Sequence, residues 1–217
     1  MKYITETACF NLIENSIRCA VERNERFPER VFCRKYGWFL FIAFDMMFTK
    51  EFFNRAKRLL ADSGERGLLL STLDPDPIEY FFKNFGAFGA IKYSVDDSDS
   101  DYLRGLNEDP GGSPADALMH NCNLLVIVPS GEAWVIVGDR DADLGICGFL
   151  SASDRDAFLS IYGTMLLHDA VAAADYSNYM SSEKNFPEFM LNFQELPKIK
   201  GDGLKGDQRG IKGDGGN

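Results

Sequence analysis

Leu124–Leu150 reads LLVIVPSGEAWVIVGDRDADLGICGFL, and its pattern decides the fold class. Three apolar runs, Leu124 to Val128, Ala133 to Val137 and Leu144 to Leu150, are rich in Val and Ile and short enough to be strands. Pro129-Ser-Gly separates the first two and Gly138-Asp-Arg-Asp-Ala-Asp the last two. A parallel crossover needs a dozen residues or more, so connections this short turn each strand back on its neighbour and predict an antiparallel meander.

Working outward, Ser153 stands where it can cap a helix whose apolar positions Phe158, Ile161, Tyr162, Met165, Leu166 and Ala170 share one face as far as Ala174. Trp38-Phe-Leu-Phe-Ile-Ala-Phe44 is a continuous apolar run, the pattern of a strand covered on both faces. An amphipathic helix over Thr5–Arg26, ended by Pro28, precedes it. A second helix comes after it, capped by Thr49, carrying Phe52, Phe53, Ala56, Leu59 and Leu60, and stopped near Gly64. Gly67–Leu73 and Phe88–Val95 read as strands, with a helix between them that starts at Asp76-Pro77 and ends at Asn84. Tyr102–Leu106 and the stretch from Ser113-Pro114 to Met119 are predicted as short helices. This order predicts an α+β fold, a mixed sheet with an antiparallel C-terminal meander, flanked by helices. A single domain over residues 1–197 is expected. Residues 198–217, where Ile199-Lys-Gly-Asp-Gly recurs as Ile211-Lys-Gly-Asp-Gly, lack large side chains to bury and read as a flexible Gly/Lys/Asp tail.

At 217 residues, with 45% hydrophobic and 26% charged, the chain can build a core without disulfide or metal support. Eighteen Phe, eight Tyr and two Trp predict that this core is rich in aromatic rings. A net charge of −10 repels phosphate backbones and anionic lipid surfaces, which argues against nucleic-acid and membrane binding and favours a basic protein partner. Five cysteines without CxxC spacing suggest neither a disulfide framework nor a zinc site. The first ten residues show no signal-peptide pattern, and the most apolar stretch, Trp38–Phe48, contains Asp45 and falls short of the ~20 residues that span a bilayer. A cytoplasmic location is the expectation.

No catalytic motif emerges. Asp97, Asp99, Asp101 and Glu108 match the first, third, fifth and twelfth positions of a calcium loop, but Tyr102 replaces the turn glycine, so the segment reads as a solvated acidic turn. Asp139, Asp141 and Asp143 have Leu150 at the twelfth position and match less well still. The two histidines, His120 and His168, fall in predicted helices, and Cys122 lies too close to His120 in sequence to face it on a helix. No cofactor or metal site is expected. One reading left open is an enzyme in which Asp97 and Asp101 converge with His120 or His168; another is a ligand-sensing domain with a cavity in its aromatic core.

The segment Ala133-Trp-Val-Ile-Val-Gly-Asp-Arg-Asp-Ala-Asp places Arg140 and three aspartates at a hairpin tip expected to be exposed. Over Phe85 to Leu150, and through the Trp134 strand that leads into Gly138-Asp139-Arg140, the chain resembles a class of uncharacterised bacterial proteins that includes immunity proteins of polymorphic-toxin and contact-dependent inhibition systems. The resemblance implies a small acidic protein-binding module that occludes a basic toxin, with Trp134, Asp139, Arg140, Asp141 and Asp143 as partner-binding residues. It carries over no catalytic residue.

Overall fold

The computed structural model describes residues 2–23, 25–33 and 35–194; the tail expected over 198–217 lies outside the described residues. Among these, seven strands form one sheet: β1 (Trp38–Ala43), β2 (Gly67–Asp74), β3 (Ala90–Ser94), β4 (Leu124–Pro129), β5 (Trp134–Asp139), β6 (Leu144–Phe149) and β7 (Leu166–Leu167). Their order is β3-β2-β4-β5-β6-β1-β7, and every pairing is antiparallel. The helices are α1 (Thr7–Ala20), α2 (Lys50–Asp62), α3 (Lys83–Phe85), α4 (Asp99–Asn107), α5 (Leu118–Asn121), α6 (Ala152–Tyr162), α7 (Ala170–Tyr176) and α8 (Phe186–Phe193). The fold is α+β, with the expected meander β4-β5-β6 at its centre.

All residues of β4, β5 and β6 are buried, which explains their continuous apolar sequence: both faces of the sheet are covered. Successive side chains point to opposite faces, so one strand feeds two cores. Leu40, Ile42, Leu125, Ile127, Trp134, Ile136, Cys147 and Phe149 face one core, which receives Phe52 and Phe53 of α2, Tyr102 of α4 and Phe158 of α6. Phe39, Phe41, Val126, Val128, Val135, Val137, Leu144 and Ile146 face the other, which receives Phe10 and Ile13 of α1, Ala173 of α7 and Phe189 of α8. The expected aromatic core is present on both sides. Phe53 stacks on Tyr102 at 4.5 Å and Phe158 on Tyr162 at 4.1 Å in the first core, and Phe10 stacks on Phe88 at 4.0 Å in the second.

Several element boundaries differ from the sequence expectation. α1 stops at Ala20 rather than Arg26, because Val21 turns extended and bridges to Phe32, a tertiary pairing that takes over the backbone hydrogen bonding. The single helix expected from Ser153 to Ala174 is three pieces. Ser151 is the cap, its side chain accepting from Asp154 N, and α6 ends at Gly163. Leu166 and Leu167 then pair with Ile42 and Phe41 as β7, because the exposed edge of β1 offers hydrogen bonds that a helix would forgo. Asp169 caps α7 afresh. Ser113 makes no capping bond; Pro114–Asp116 is a single tight turn and α5 starts separately at Leu118. The helix expected at Tyr102 begins earlier, at Asp99, behind a capping box in which Ser98 and Asp101 bond reciprocally. The Thr49 and Asp76 caps form where expected: Thr49 starts α2 and accepts from Phe52 N, and Asp76 starts a wide helical turn, Pro77–Phe82, that runs into α3, and accepts from Ile78 N and Glu79 N.

Candidate functional site

The β5–β6 hairpin, singled out by the sequence, is divided by burial. Trp134 is 3% exposed, and its ring meets Phe158 edge-on at 5.6 Å inside the first core, so it is a packing residue and not a contact surface. Asp139 is 2% exposed, which corrects the expectation of an exposed tip at that position. Arg140 turns inward as well. Its Nε donates to the Cys122 carbonyl at 2.9 Å, its Nη2 to the Met119 carbonyl at 2.9 Å, and its guanidinium lies over the Phe44 ring at 4.8 Å. It ties the hairpin to the end of α5.

That arrangement depends on two glycines. Gly138 and Gly145 face each other across β5 and β6, and a Cβ on Gly138 would stand 2.3 Å from the Met47 methyl and 3.2 Å from the Phe44 ring. Their missing side chains let the turn at Phe44–Phe48 lie on the sheet and supply the ring beneath Arg140.

Asp141 and Asp143 are exposed. The turn that presents them is fixed: Asp143 N donates to the Arg140 carbonyl at 3.0 Å, Asp143 takes φ of 52°, and Ser177 Oγ donates to the Ala142 carbonyl at 2.6 Å. Asp tolerates this left-handed conformation better than most residues, which suits it to the position. Two residues that sequence reasoning missed join it: Asp45, exposed at the start of the Phe44–Phe48 turn, and Tyr176, at the end of α7. Partial burial raises the Tyr176 hydroxyl above its ordinary range, and the Asp143 carboxylate, the hydrogen bond it accepts from the phenol and the Asp45 carboxylate add to the rise. Among the described residues, neither Asp45 nor Asp143 forms an ion pair.

On the other side of the turn, Arg26 gathers three carboxylates. It bonds Asp74 at the end of β2 and lies 3.4 Å from Asp141 and 3.7 Å from Asp139. Burial raises the Asp139 carboxyl above the usual carboxylate range, and Arg26 together with the Asp141 N–H at 3.0 Å oppose that rise. Arg23 continues the chain of charges to Glu14 at 2.5 Å and Asp76 at 3.5 Å. Nothing local in the sequence announced Arg26 or Asp74, since both come from distant segments. Asp45 carried a signal, as the one charge inside the Trp38–Phe48 apolar run.

The groups of the enzyme reading do not converge. Asp97 pairs with Lys2 at 2.6 Å and accepts from Ser94 N, and Asp101 is taken up in the α4 cap, beside the β3 edge. His168 lies after β7 at the opposite edge, outside any helix, and bonds Asp169 at 3.0 Å. His120 is exposed on α5. Among the described residues no group of three or more His, Cys, Asp or Glu is arranged to hold a metal ion. No helix of the described residues is long and apolar enough to cross a membrane.

One groove of about 450 Å³ runs beside β1, between α6 and the α7–α8 pair, lined by Phe39, Leu159, Met190 and Phe193 together with Arg155 and Asp169. Compared with protein-family models, curated proteins and solved structures, the chain matches none.

Proposed function

We propose that this chain is a cytoplasmic protein-binding module, an immunity protein that neutralises a toxin by covering a basic surface on it. The observation that carries the reading is the exposed patch of Asp45, Asp141, Asp143 and Tyr176 around the β5–β6 turn, in which Asp45 and Asp143 have no cationic partner among the described residues. Unpaired carboxylates on a rigid turn attract and orient a cationic partner with little reorganisation, and an adjacent phenol adds apolar contact with a polar end. The net charge of −10 acts over longer range in the same direction. The binding set is therefore narrower than the sequence implied: Asp141 and Asp143 remain, Asp45 and Tyr176 are added, and Trp134, Asp139 and Arg140 hold the turn in place.

The test uses the full chain, tagged, to isolate its partner from native lysate, and then titrates the purified partner against wild type and Asp45→Lys/Asp141→Asn/Asp143→Asn. A stoichiometric basic partner that the wild type inhibits, and that the triple variant binds about tenfold or more weakly with its unfolding free energy unchanged within about 0.5 kcal/mol, supports the reading. Equal affinity for the triple variant removes this surface from the interface.

The groove favours a second reading, a small amphipathic ligand held between α6 and α8, since its size and its mixed lining of aromatic rings with Arg155 and Asp169 fit such a molecule. A thermal-shift screen checks it, and stabilisation that Leu159→Arg abolishes identifies this groove as the place of binding.

A further inference from the structure

Cys19 is the penultimate residue of α1, and Cys33 stands where the chain returns past the end of that helix. The return is pinned on both sides of Cys19. Cys33 N donates to the Ala20 carbonyl at 3.0 Å, and Cys33 Sγ lies 3.8 Å from the Arg18 carbonyl oxygen, which belongs to the peptide bond leading into Cys19. Val21 and Phe32 pair one step further along. An antiparallel pair of this kind holds facing Cα atoms about 4.5–5.5 Å apart, and a disulfide spans about 4.4–6.8 Å. A bond from Cys33 to the neighbour of its facing residue thus needs rotation of the Cys19 side chain and little backbone movement.

Access agrees with that pairing: Cys122 and Cys147 are buried, Cys19 is exposed, and Cys33, like Cys9, is half-buried, with the contacts at the end of α1 setting Cys33 apart. Burial and the Glu22 carboxylate 3.9 Å away push the Cys33 thiol up, and the Cys19 sulfur is near enough to add to that effect. Cys33 therefore stays protonated at rest, and Cys19 is the sulfur that an oxidant meets first.

The geometry points to Cys19 and Cys33 as a redox-active dithiol that hydrogen peroxide closes to a disulfide. Cys19 attacks the peroxide, its S–O bond forms as the O–O bond breaks, and the first water leaves with Cys19 as a sulfenic acid. Cys33 then attacks that sulfur; the S–S bond forms, the S–O bond breaks, and the departing hydroxide takes the Cys33 proton as the second water. Two thiols lose two electrons and the peroxide gains them. The bond fastens the two ends of the segment that carries Arg23 and Arg26, the residues holding Glu14, Asp76, Asp74, Asp139 and Asp141, so oxidation locks the charge network behind the β5–β6 turn. This inference does not depend on the proposed partner.

The test treats the full chain with hydrogen peroxide, blocks the remaining thiols and maps tryptic peptides without reduction. The expected product joins the peptides Cys19–Arg23 and Val31–Arg34, and it is absent in Cys19→Ser and in Cys33→Ser. The oxidised wild type is expected to melt about 5 °C or more above the reduced form, because the bond closes a loop of moderate length. A native protein that gives no such joined pair, that links Cys19 between molecules instead, or that gives the pair no more often than urea-unfolded chain does, overturns the proposal.

Discussion

In the segment Asp97–Asp101 two of the three alternating carboxylates are taken up by the chain around them: Asp97 by Lys2 and Ser94 N, Asp101 by the Ser98 backbone and hydroxyl. In Asp139–Asp143 the same alternation is split: Asp139 is buried, Asp141 faces solvent while pairing with the same Arg26, and Asp143 faces solvent with no ion pair among the described residues. The difference lies in the element that each run introduces. The first opens a helix, whose unpaired N–H groups recruit nearby acceptors. The second bridges two strands that already satisfy one another, so carboxylates beyond the last cross-strand pair have no backbone to serve. An acidic run at a helix start is thus drawn into the backbone bonds of that start, whereas one at a hairpin turn keeps carboxylates facing solvent.

The largest effects that sharpen this contrast are expected at the base of the hairpin. Trp134→Ala should cost about 3–5 kcal/mol in urea unfolding, because it empties a site where Trp134 packs against Phe158, itself held by Phe149, in a core with little room to collapse. A loss under about 1 kcal/mol would mean that the ring does not anchor the strand. An intermediate effect is expected at the consumed run: Ser98→Ala should cost about 1 kcal/mol by removing the α4 cap, while Asp143→Asn, which removes the charge and keeps a residue suited to the left-handed backbone, costs no more than a few tenths. Equal costs at the two positions would break the comparison.

The smallest effects appear in the pH dependence of stability, with opposite signs. The bonds from Ser98 hold Asp101 below the usual carboxylate range, so its contribution is present above the unfolded-state value near 3.8 and is lost as pH falls through the lower folded-state value. The Asp139 carboxyl is raised by burial, so its ionisation costs stability at neutral pH, and that cost is relieved as pH falls through the folded-state value toward 3.8. Asp139→Asn should therefore gain least relative to wild type at the acid end of a series from neutral pH to about 2.5, and Asp101→Asn should lose least there. Parallel profiles for the two variants would show that the two runs are not differently buried.

Much of the fold was legible before the structure. The β4-β5-β6 meander, the Trp38 strand and the Thr49 and Asp76 caps are decided within a few residues of chain, by apolar runs, short turns and side chains that reach their own backbone. The break of the expected Ser153–Ala174 helix was not, because Leu166 and Leu167 have helical periodicity and became a strand through the free edge of β1. The candidate site divides the same way. Asp141 and Asp143 were readable as turn residues, whereas the inward paths of Asp139 and Arg140 depend on Arg26, on the Phe44 ring and on the carbonyls of Met119 and Cys122.

The order of amino acids was enough to set where strands and helix caps form, how acidic the surface is and that both sheet faces need cover, since those come from local hydrogen bonding and from the period of apolar side chains. The strand order, the choice of which aspartates meet water, and the placing of Cys19 beside Cys33 were left to the folded whole. Each of these is set by which distant segment packs alongside, and that is a property of the entire core.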